Sequence, residues 1–348
     1  MKISYAAFLV AIATMWTTPA FNIAQDEVVV ETVVEGLNNP SGIAIQPETG
    51  HVFVADSGAL RIIRVIDGKA RDVIIDFPKD AYGKGPIYDI GPLGLLFLDK
   101  DTLVVGGGGK PDGKELIRVY KVPSVDEVPL RADETKSASM ALVASGDTPG
   151  EGNFYALAHG SKGIYVTCNG DDTKGWVSLA TLNDGNLESF ERKIATKEAT
   201  NVDAPVGITM SPEGHVTVGQ MGEINVAGDS LLTFYNEEGE LLGKFETGLN
   251  DITGLAYGPQ HGRLFVTDFN WRDTNNGGLY KLVAIIDDYE TCKAVKIAKL
   301  RKPTALAFTP EGDLYITLAG DSSEAAPKPD GKLVLIRGLD VDLHGLAK

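Results

Sequence analysis

A short sequence recurs along this chain of 348 residues, and it constrains the fold more than any other feature. In its clearest copy, from Pro40 to Gly58, the β-rich runs Gly42–Ile45 and His51–Val54 flank Pro47-Glu48-Thr49-Gly50. That tetrapeptide is a turn, because Pro fixes φ and Gly supplies the positive φ that closes it. Further copies begin at Pro92, Asn153, Pro205, Ile252 and Pro303. The chain is therefore predicted to be one domain of repeated β-hairpins.

The spacing of the copies predicts the architecture. About fifty residues separate successive copies, which is the length of a four-stranded antiparallel propeller blade. The last copy lacks a fourth strand, whereas Glu35-Gly36-Leu37-Asn38 resembles Glu246-Thr247-Gly248-Leu249-Asn250 at the end of another fourth strand. Residues 28–37 are therefore predicted to complete the last blade beside Lys332–Ile336 and to close the ring. The predicted fold class is all-β, a six-bladed β-propeller; an open solenoid or paired sandwiches would not use this strand.

Three long inserts rich in Pro, Asp and Gly are predicted to be loops, at Pro78–Tyr88, Pro123–Lys136 and Asp321–Asp330. Ala138–Val143 is predicted as the fourth strand of the second copy.

The N-terminus is typical of a secretory signal. Lys2 precedes the apolar run Tyr5–Trp16, and small residues permit cleavage after Ala20 or Ala24. The predicted divisions are a signal peptide at 1–24, a propeller domain at 25–340 and a tail at 341–348. The mature protein is expected in the periplasm or outside the cell. An uncleaved membrane tether is the alternative, but no segment has the ~20 apolar residues of an integral membrane helix.

Net charge and cysteine content limit the partners and the redox chemistry. The formal charge is −16 and no basic stripe occurs, which argues against nucleic acid and anionic membranes as partners. Cys168 and Cys292 fall on strands of different copies, so we expect them to be unpaired, although an exported protein could join them.

The recurring pattern Pro-Xaa-Gly-Ile-Ala, Pro-Glu-Gly and Leu/Val-Phe/Tyr-Val-Ala/Thr-Asp resembles six-bladed propellers of the NHL-repeat and gluconolactonase/senescence-marker type. The resemblance covers nearly the whole mature chain. It implies the architecture but not one activity, because the scaffold hosts lactonases, other hydrolases, sugar dehydrogenases and binding proteins.

In such a ring, polar side chains that flank the first and second strands of each copy share one axial face. Oxygen ligands on an axis suit Ca²⁺ or another divalent cation. The residues expected at this face are Asn39, Asp56, Asp89, Glu151, Asn153, Asn169, Asp171, Asp203, Gln220, Glu223, Asp251, Asp268 and Asn270.

The resemblance to lactonases implies one divalent cation at this face that polarises a lactone carbonyl. Asn169, Asp203 and Asp268 are its candidate ligands, with Glu151 or Asp251 as the base. The chain departs from that group, since Asn39-Pro40-Ser41-Gly42 stands where it has Glu-Gly-Pro. The alternative is that these Asp and Asn side chains bond the backbone of their own turns.

An aromatic loop is the candidate ligand contact. Asn270, Trp271 and Arg272 follow a predicted second strand, where Trp271 would stack on a sugar or peptide or else pack between blades. The run Gly106–Gly109 has no following helix to bind a phosphate, so no nucleotide or flavin is expected.

Two functions follow from these features. The first is an exported binding or scaffold protein with a polar, acidic axial face that takes a small molecule, sugar, peptide or protein partner. The alternative is a divalent-metal-dependent hydrolase of the sugar-lactonase type.

Overall fold

The computed structural model of the protein describes residues 28–83, 86–170, 174–285, 288–321, 325 and 328–341. The predicted signal peptide, Asp171 and residues 342–348 lie outside the described residues. The architecture is all-β, as the repeat predicts.

The strands are short and evenly distributed. The first thirteen are β1 (Glu31–Leu37), β2 (Pro40–Ile45), β3 (Val52–Asp56), β4 (Arg61–Ile66), β5 (Lys69–Ile75), β6 (Asp80–Tyr82), β7 (Tyr88–Ile90), β8 (Pro92–Phe97), β9 (Thr102–Gly107), β10 (Ile117–Lys121), β11 (Leu130–Arg131), β12 (Phe154–Gly160) and β13 (Gly163–Cys168). The others are β14 (Trp176–Asn183), β15 (Asn186–Ala195), β16 (Pro205–Met210), β17 (Val216–Gln220), β18 (Leu231–Tyr235), β19 (Leu241–Glu246), β20 (Ile252–Tyr257), β21 (Leu264–Asp268), β22 (Gly278–Ile285), β23 (Asp288–Lys299), β24 (Pro303–Phe308), β25 (Leu314–Leu318) and β26 (Gly331–Ile336). The helical segments are α1 (Thr196–Thr200) and the 3₁₀ turns Ser57–Ala59 and Thr274–Asn276.

Successive strands form antiparallel meanders. The sheets have the orders β2-β3-β4-β5-β11, β8-β9-β10, β12-β13-β14-β15 and β24-β25-β26-β1, and β11 is the one parallel addition to its sheet. A larger sheet joins β16-β17-β18-β19 to β20-β21-β22-β23 through a parallel pairing of β19 with β23 at Glu246 and Thr291. The first strands of the six copies, β2, β8, β12, β16, β20 and β24, contact one another in succession, and β24 contacts β2. We call them the inner strands.

The N-terminal strand pairs with the C-terminal one. β1 lies antiparallel beside β26, with Thr32 opposite Val334 and Leu37 opposite Gly331. The resemblance of residues 35–38 to the end of another fourth strand had predicted this pairing.

Two predicted loops and one predicted strand are corrected. The segment Pro78–Tyr88 contains β6, which forms a separate hairpin with β7, and Pro123–Lys136 contains β11, which pairs parallel to β5. Ala138–Val143 is not a strand, since only Met140 forms an isolated bridge to Ile117. The chain that leaves β10 first joins the preceding sheet through β11, and it returns to β10 only through backbone bonds of Lys136 to Val119 and of Met140 to Ile117.

Close packing explains the glycine in Pro-Xaa-Gly. A Cβ built on Gly42 of β2 would lie 1.9 Å from the carbonyl oxygen of Leu93 in β8, so no other residue fits there. Threonine hydroxyls also join neighbouring inner strands, since Thr253 donates to the Pro303 carbonyl at 2.9 Å and Thr304 to the Pro40 carbonyl at 2.6 Å. The repeat therefore encodes contacts between sheets as well as strands.

The hydrophobic core lies between the faces of adjacent sheets. One cluster joins Phe53 and Ile62 of the first sheet to Leu103 and Tyr120 of the next, and all four side chains are almost fully buried. Cys168 and Cys292 are buried free thiols. Within the part of the chain that the structure describes, no helix is long and apolar enough to cross a bilayer.

Candidate functional site

A cavity of about 70 Å³ lies where the inner strands converge. The second residue of each inner strand lines it, and these residues are Ser41, Leu93, Tyr155, Val206, Thr253 and Thr304. The other lining residues are Asn39, Tyr82, Tyr88, Ile90, Asn153, Asn169, Met221, Phe269 and Trp271. The variable residue of Pro-Xaa-Gly therefore lines the axial cavity, and its side chain differs from copy to copy.

The β6–β7 hairpin contributes to one wall of this cavity. The hydroxyl of Tyr88 accepts a hydrogen bond from the Lys302 ammonium at 2.7 Å and donates to the Gly320 carbonyl at 3.3 Å. The Tyr88 ring meets Trp271 edge to face, with centroids 5.9 Å apart. Tyr82 accepts a hydrogen bond from the Asn169 amide at 3.3 Å. The hairpin thus joins elements from distant parts of the chain around the cavity.

The predicted aromatic loop reaches the cavity through one of its three residues. Trp271 lines it and lies against Phe269, with ring centroids 4.4 Å apart. Asn270 does not line it; its backbone is left-handed, with φ 55°, and its side-chain oxygen accepts from the Asp273 amide at 3.2 Å. Arg272 is exposed and donates to the Asn225 carbonyl at 3.4 Å.

Asp251 is a buried carboxyl directly behind this aromatic wall. Its Oδ2 accepts a hydrogen bond from the Trp271 amide at 2.6 Å, while its buried Oδ1 has no hydrogen-bond partner among the described residues. Burial raises the pKa of Asp251 to about 7, and the negative charges of Asp268 and Asp229 add to this shift. At neutral pH this carboxyl therefore divides between its protonated and ionised forms.

The structure places the three predicted metal ligands in separate loops, each engaged with its surroundings. Asp268 accepts from the Asp251 amide at 2.9 Å, and burial raises its pKa. Asp203 pairs with the Lys197 ammonium at 2.6 Å and accepts from the Ala204 amide at 2.7 Å. Asn169 lines the cavity, but the described residues contain no group of three or more His, Cys, Asp or Glu side chains that could hold a metal. The carboxylates of Asp203 and Asp268 are thus engaged by groups of the protein itself.

Glu151, the other predicted base, is fully buried and does not line the cavity. It lies near the Cys168 thiol, whose pKa is raised by burial and further by the charge of Glu151.

The lining is neutral, in contrast to the acidic face that the sequence suggested. None of the described lining residues has a carboxylate, ammonium or guanidinium group. The carboxylates of Asp251 and Asp268 instead lie behind the wall, where they accept backbone amides. Of the strand-flanking residues expected at the axial face, Asn39, Asn153 and Asn169 line the cavity. The lining residues that were missed include the second residue of each inner strand, and the variable position of the repeated Pro-Xaa-Gly was the signal for them.

No protein-family model matches the chain, and no curated protein matches it. Several solved structures resemble it. One is the PQQ-bound form of an aldose sugar dehydrogenase from Streptomyces coelicolor, with 16% identity over 88% of this chain and 98% of that chain and a TM-score of 0.59. A soluble aldose sugar dehydrogenase from Escherichia coli, in the apo-form, has 13% identity over 88% and 99% of the chains and a TM-score of 0.60. A calcium-binding protein, regucalcin, from Agrobacterium tumefaciens has 13% identity over 88% and 93% and a TM-score of 0.53. At these identities the likeness concerns the fold alone, and the fold of this chain is a β-propeller.

Proposed function

We propose that this protein is an exported six-bladed β-propeller that binds a small organic molecule in its axial cavity. The pairing of β1 with β26 and the contact of β24 with β2 support a closed ring of six blades. Residues 1–24 support export by their sequence pattern. The observation that carries the binding function is the convergence of residues from all six inner strands on one cavity.

The chemistry of the lining supports a small ligand over a scaffold role. Aromatic and aliphatic side chains dominate the wall, and a few amide and hydroxyl groups lie among them, which is the usual composition of ligand pockets. Phe269 and Leu93 are buried in the cavity wall, whereas Trp271 and Tyr82 keep partly accessible faces. Such a wall binds an apolar or aromatic face and orients it through a few hydrogen bonds.

A ligand screen by thermal unfolding tests this proposal. A bound ligand raises the unfolding midpoint by mass action. We expect at least one sugar, lactone, amine or short peptide to raise the midpoint of the native chain, and Trp271→Leu to weaken that ligand at least fivefold. Trp176→Leu is the matched control, because Trp176 does not line the cavity. An absence of hits, or equal weakening in both variants, would refute the axial site.

A metal-dependent lactone hydrolase remains the second candidate. Asp251 favours it, because a carboxyl with a pKa of about 7 suits a general base at neutral pH. Asp251 would take a proton from an attacking water, with Glu151 as the other candidate. Asn169, Asp203 and Asp268 would hold the cation. The two aspartates would have to exchange their present partners for the metal.

Two measurements separate this candidate from simple binding. Elemental analysis and melting in EDTA followed by Ca²⁺ test for the ion, since a bound cation raises the midpoint. A lactone-hydrolysis screen tests for activity, which Asp251→Asn should reduce by about 10²-fold or more if Asp251 is the base. If the midpoint is indifferent to Ca²⁺ and no lactone is cleaved, the hydrolase is excluded and the binding role is left.

A further inference from the structure

The hydrogen-bond directions in the axial cavity indicate what kind of molecule it takes. Five lining hydroxyl groups donate to backbone carbonyls of the protein, at distances of 2.6 to 3.4 Å. A hydroxyl group has a single hydrogen to donate, so these groups retain only lone pairs for a ligand.

The side-chain amides have the same orientation. Asn39 donates its NH₂ group to the Asp89 carbonyl at 3.1 Å, and Asn153 donates to the Asn169 carbonyl at 3.2 Å. A carbonyl can only accept, so these bonds fix which end of each amide is nitrogen. The oxygen ends of these two lining amides remain as acceptors. The wall is thus rich in acceptors, and its other donor groups are the indole N–H of Trp271, the hydroxyl of Tyr82 and the second amide hydrogens.

The aromatic rings and the charges around the cavity also favour a cationic ligand. Trp271, Tyr88 and Tyr82 line the cavity, and the face of an aromatic ring attracts cations. Lys302, which contacts the Tyr88 ring, is paired with Asp321 at 2.7 Å. Asp251 lies behind the Trp271 wall, and the whole chain has a formal charge of −16. The surroundings therefore favour a positive ligand.

We propose that the ligand of the axial cavity is a small organic cation, an alkyl- or arylammonium group bound against Trp271, Tyr88 and the side-chain amides of Asn39 and Asn153. This inference rests on the proposed binding function and names its ligand class. An ammonium group has no lone pairs, so it needs none of the donors that the wall lacks. A neutral polyol would bury hydroxyl oxygens against a wall with few donors, and an anion would meet acceptors on most sides.

The test compares choline with its neutral isostere 3,3-dimethylbutan-1-ol and the anion 3,3-dimethylbutanoate. Affinities are measured by calorimetry on the native chain, with glucose as a polyol probe. We expect choline to bind at least fivefold more tightly than the isostere and the anion not to bind. Trp271→Leu should weaken choline at least fivefold, whereas Trp176→Leu should change it less than twofold.

Asn153→Asp is a second test of the ligand class, and it does not remove a large side chain. Its added charge should strengthen choline at least threefold and leave the isostere within twofold. If the isostere or glucose binds as tightly as choline, or if choline fails to bind while a neutral or anionic compound binds at Trp271, the cation assignment is wrong and the binding function stands. If no compound binds at Trp271, both fail.

Discussion

Two equivalent loops of the propeller have diverged in charge. Asp56 ends β3 and Asp268 ends β21, and each accepts a backbone amide from the loop that leads into its own inner strand, from Asn38 at 2.7 Å and from Asp251 at 2.9 Å. In the first loop Arg61 pairs with Asp56 at 2.8 Å. In the second, another buried carboxyl, Asp251, lies next to Asp268, and the charge of Asp268 helps to raise the pKa of Asp251.

The two aspartates support the backbone in the same way, whereas the side chains next to them determine the chemistry of each loop. Both aspartates hold a loop in place, so their shared position reflects architecture. The difference lies in the side chain next to each aspartate. Arg61 pairs with Asp56, whereas Asp251 adds a second carboxyl next to Asp268, behind Trp271. The repeat thus builds the same turn in two copies, but of the loops after β3 and β21 only the second lines the cavity.

The largest expected effect is the loss of Asp56. Asp56→Asn removes the buried partner of Arg61 and weakens the bond to the Asn38 amide, so we expect the free energy of unfolding to fall by about 2–3 kcal/mol. Asp72→Asn is the matched control, because Asp72 pairs with the same Arg61 at 2.9 Å but is exposed. The control should change stability by less than about 1 kcal/mol in urea unfolding. Equal losses would show that Asp56 does not support the loop.

The second prediction concerns pH. The pKa of Asp251 is raised in the folded state, so the native protein binds the proton more tightly than the unfolded chain. This group's stabilising contribution is complete below pH ~4 and is lost as pH rises towards ~7. Asp251→Asn removes this dependence. The stability of the native chain relative to the variant should fall by on the order of 1–3 kcal/mol between pH 5 and pH 8. A constant difference would contradict the raised pKa.

The smallest effect is expected at Asp268. Asp268→Asn keeps an acceptor for the Asp251 amide and removes a charge next to Asp251, so loss and gain partly cancel. We expect the free energy of unfolding at pH 8 to change by less than about 1 kcal/mol. The pKa of Asp251, followed by NMR titration, should fall. A loss as large as that for Asp56→Asn would indicate that the two loops are equivalent after all.

The strand repeat was predictable because each copy encodes its own turn and its own inner strand. The pairing of β1 with β26 was also predictable, because residues 35–38 resemble the end of another fourth strand. The β6–β7 hairpin was not, since its place depends on contacts such as Tyr88 with Lys302, more than two hundred positions away. Local Pro, Asp and Gly composition gives no sign of such contacts.

The candidate site was predictable only in part. Trp271 and Asn169 were identified from their loops, and both line the cavity. Residues such as Tyr155 and Val206 were missed, because a single β-strand pattern does not indicate whether the second residue of the strand faces the axis or a neighbouring sheet. Asp251 was identified as a possible base, but its raised pKa depends on burial that the sequence does not reveal.

The most direct test of the axial site is ¹⁹F NMR of the chain labelled with 5-fluorotryptophan. The sequence contains Trp16, Trp176 and Trp271, and single Trp→Phe variants assign each resonance. Titration with a compound that raises the unfolding midpoint should shift the Trp271 resonance in a saturable manner and leave that of Trp176 unchanged. A compound that binds without moving the Trp271 resonance would contradict binding in the axial cavity.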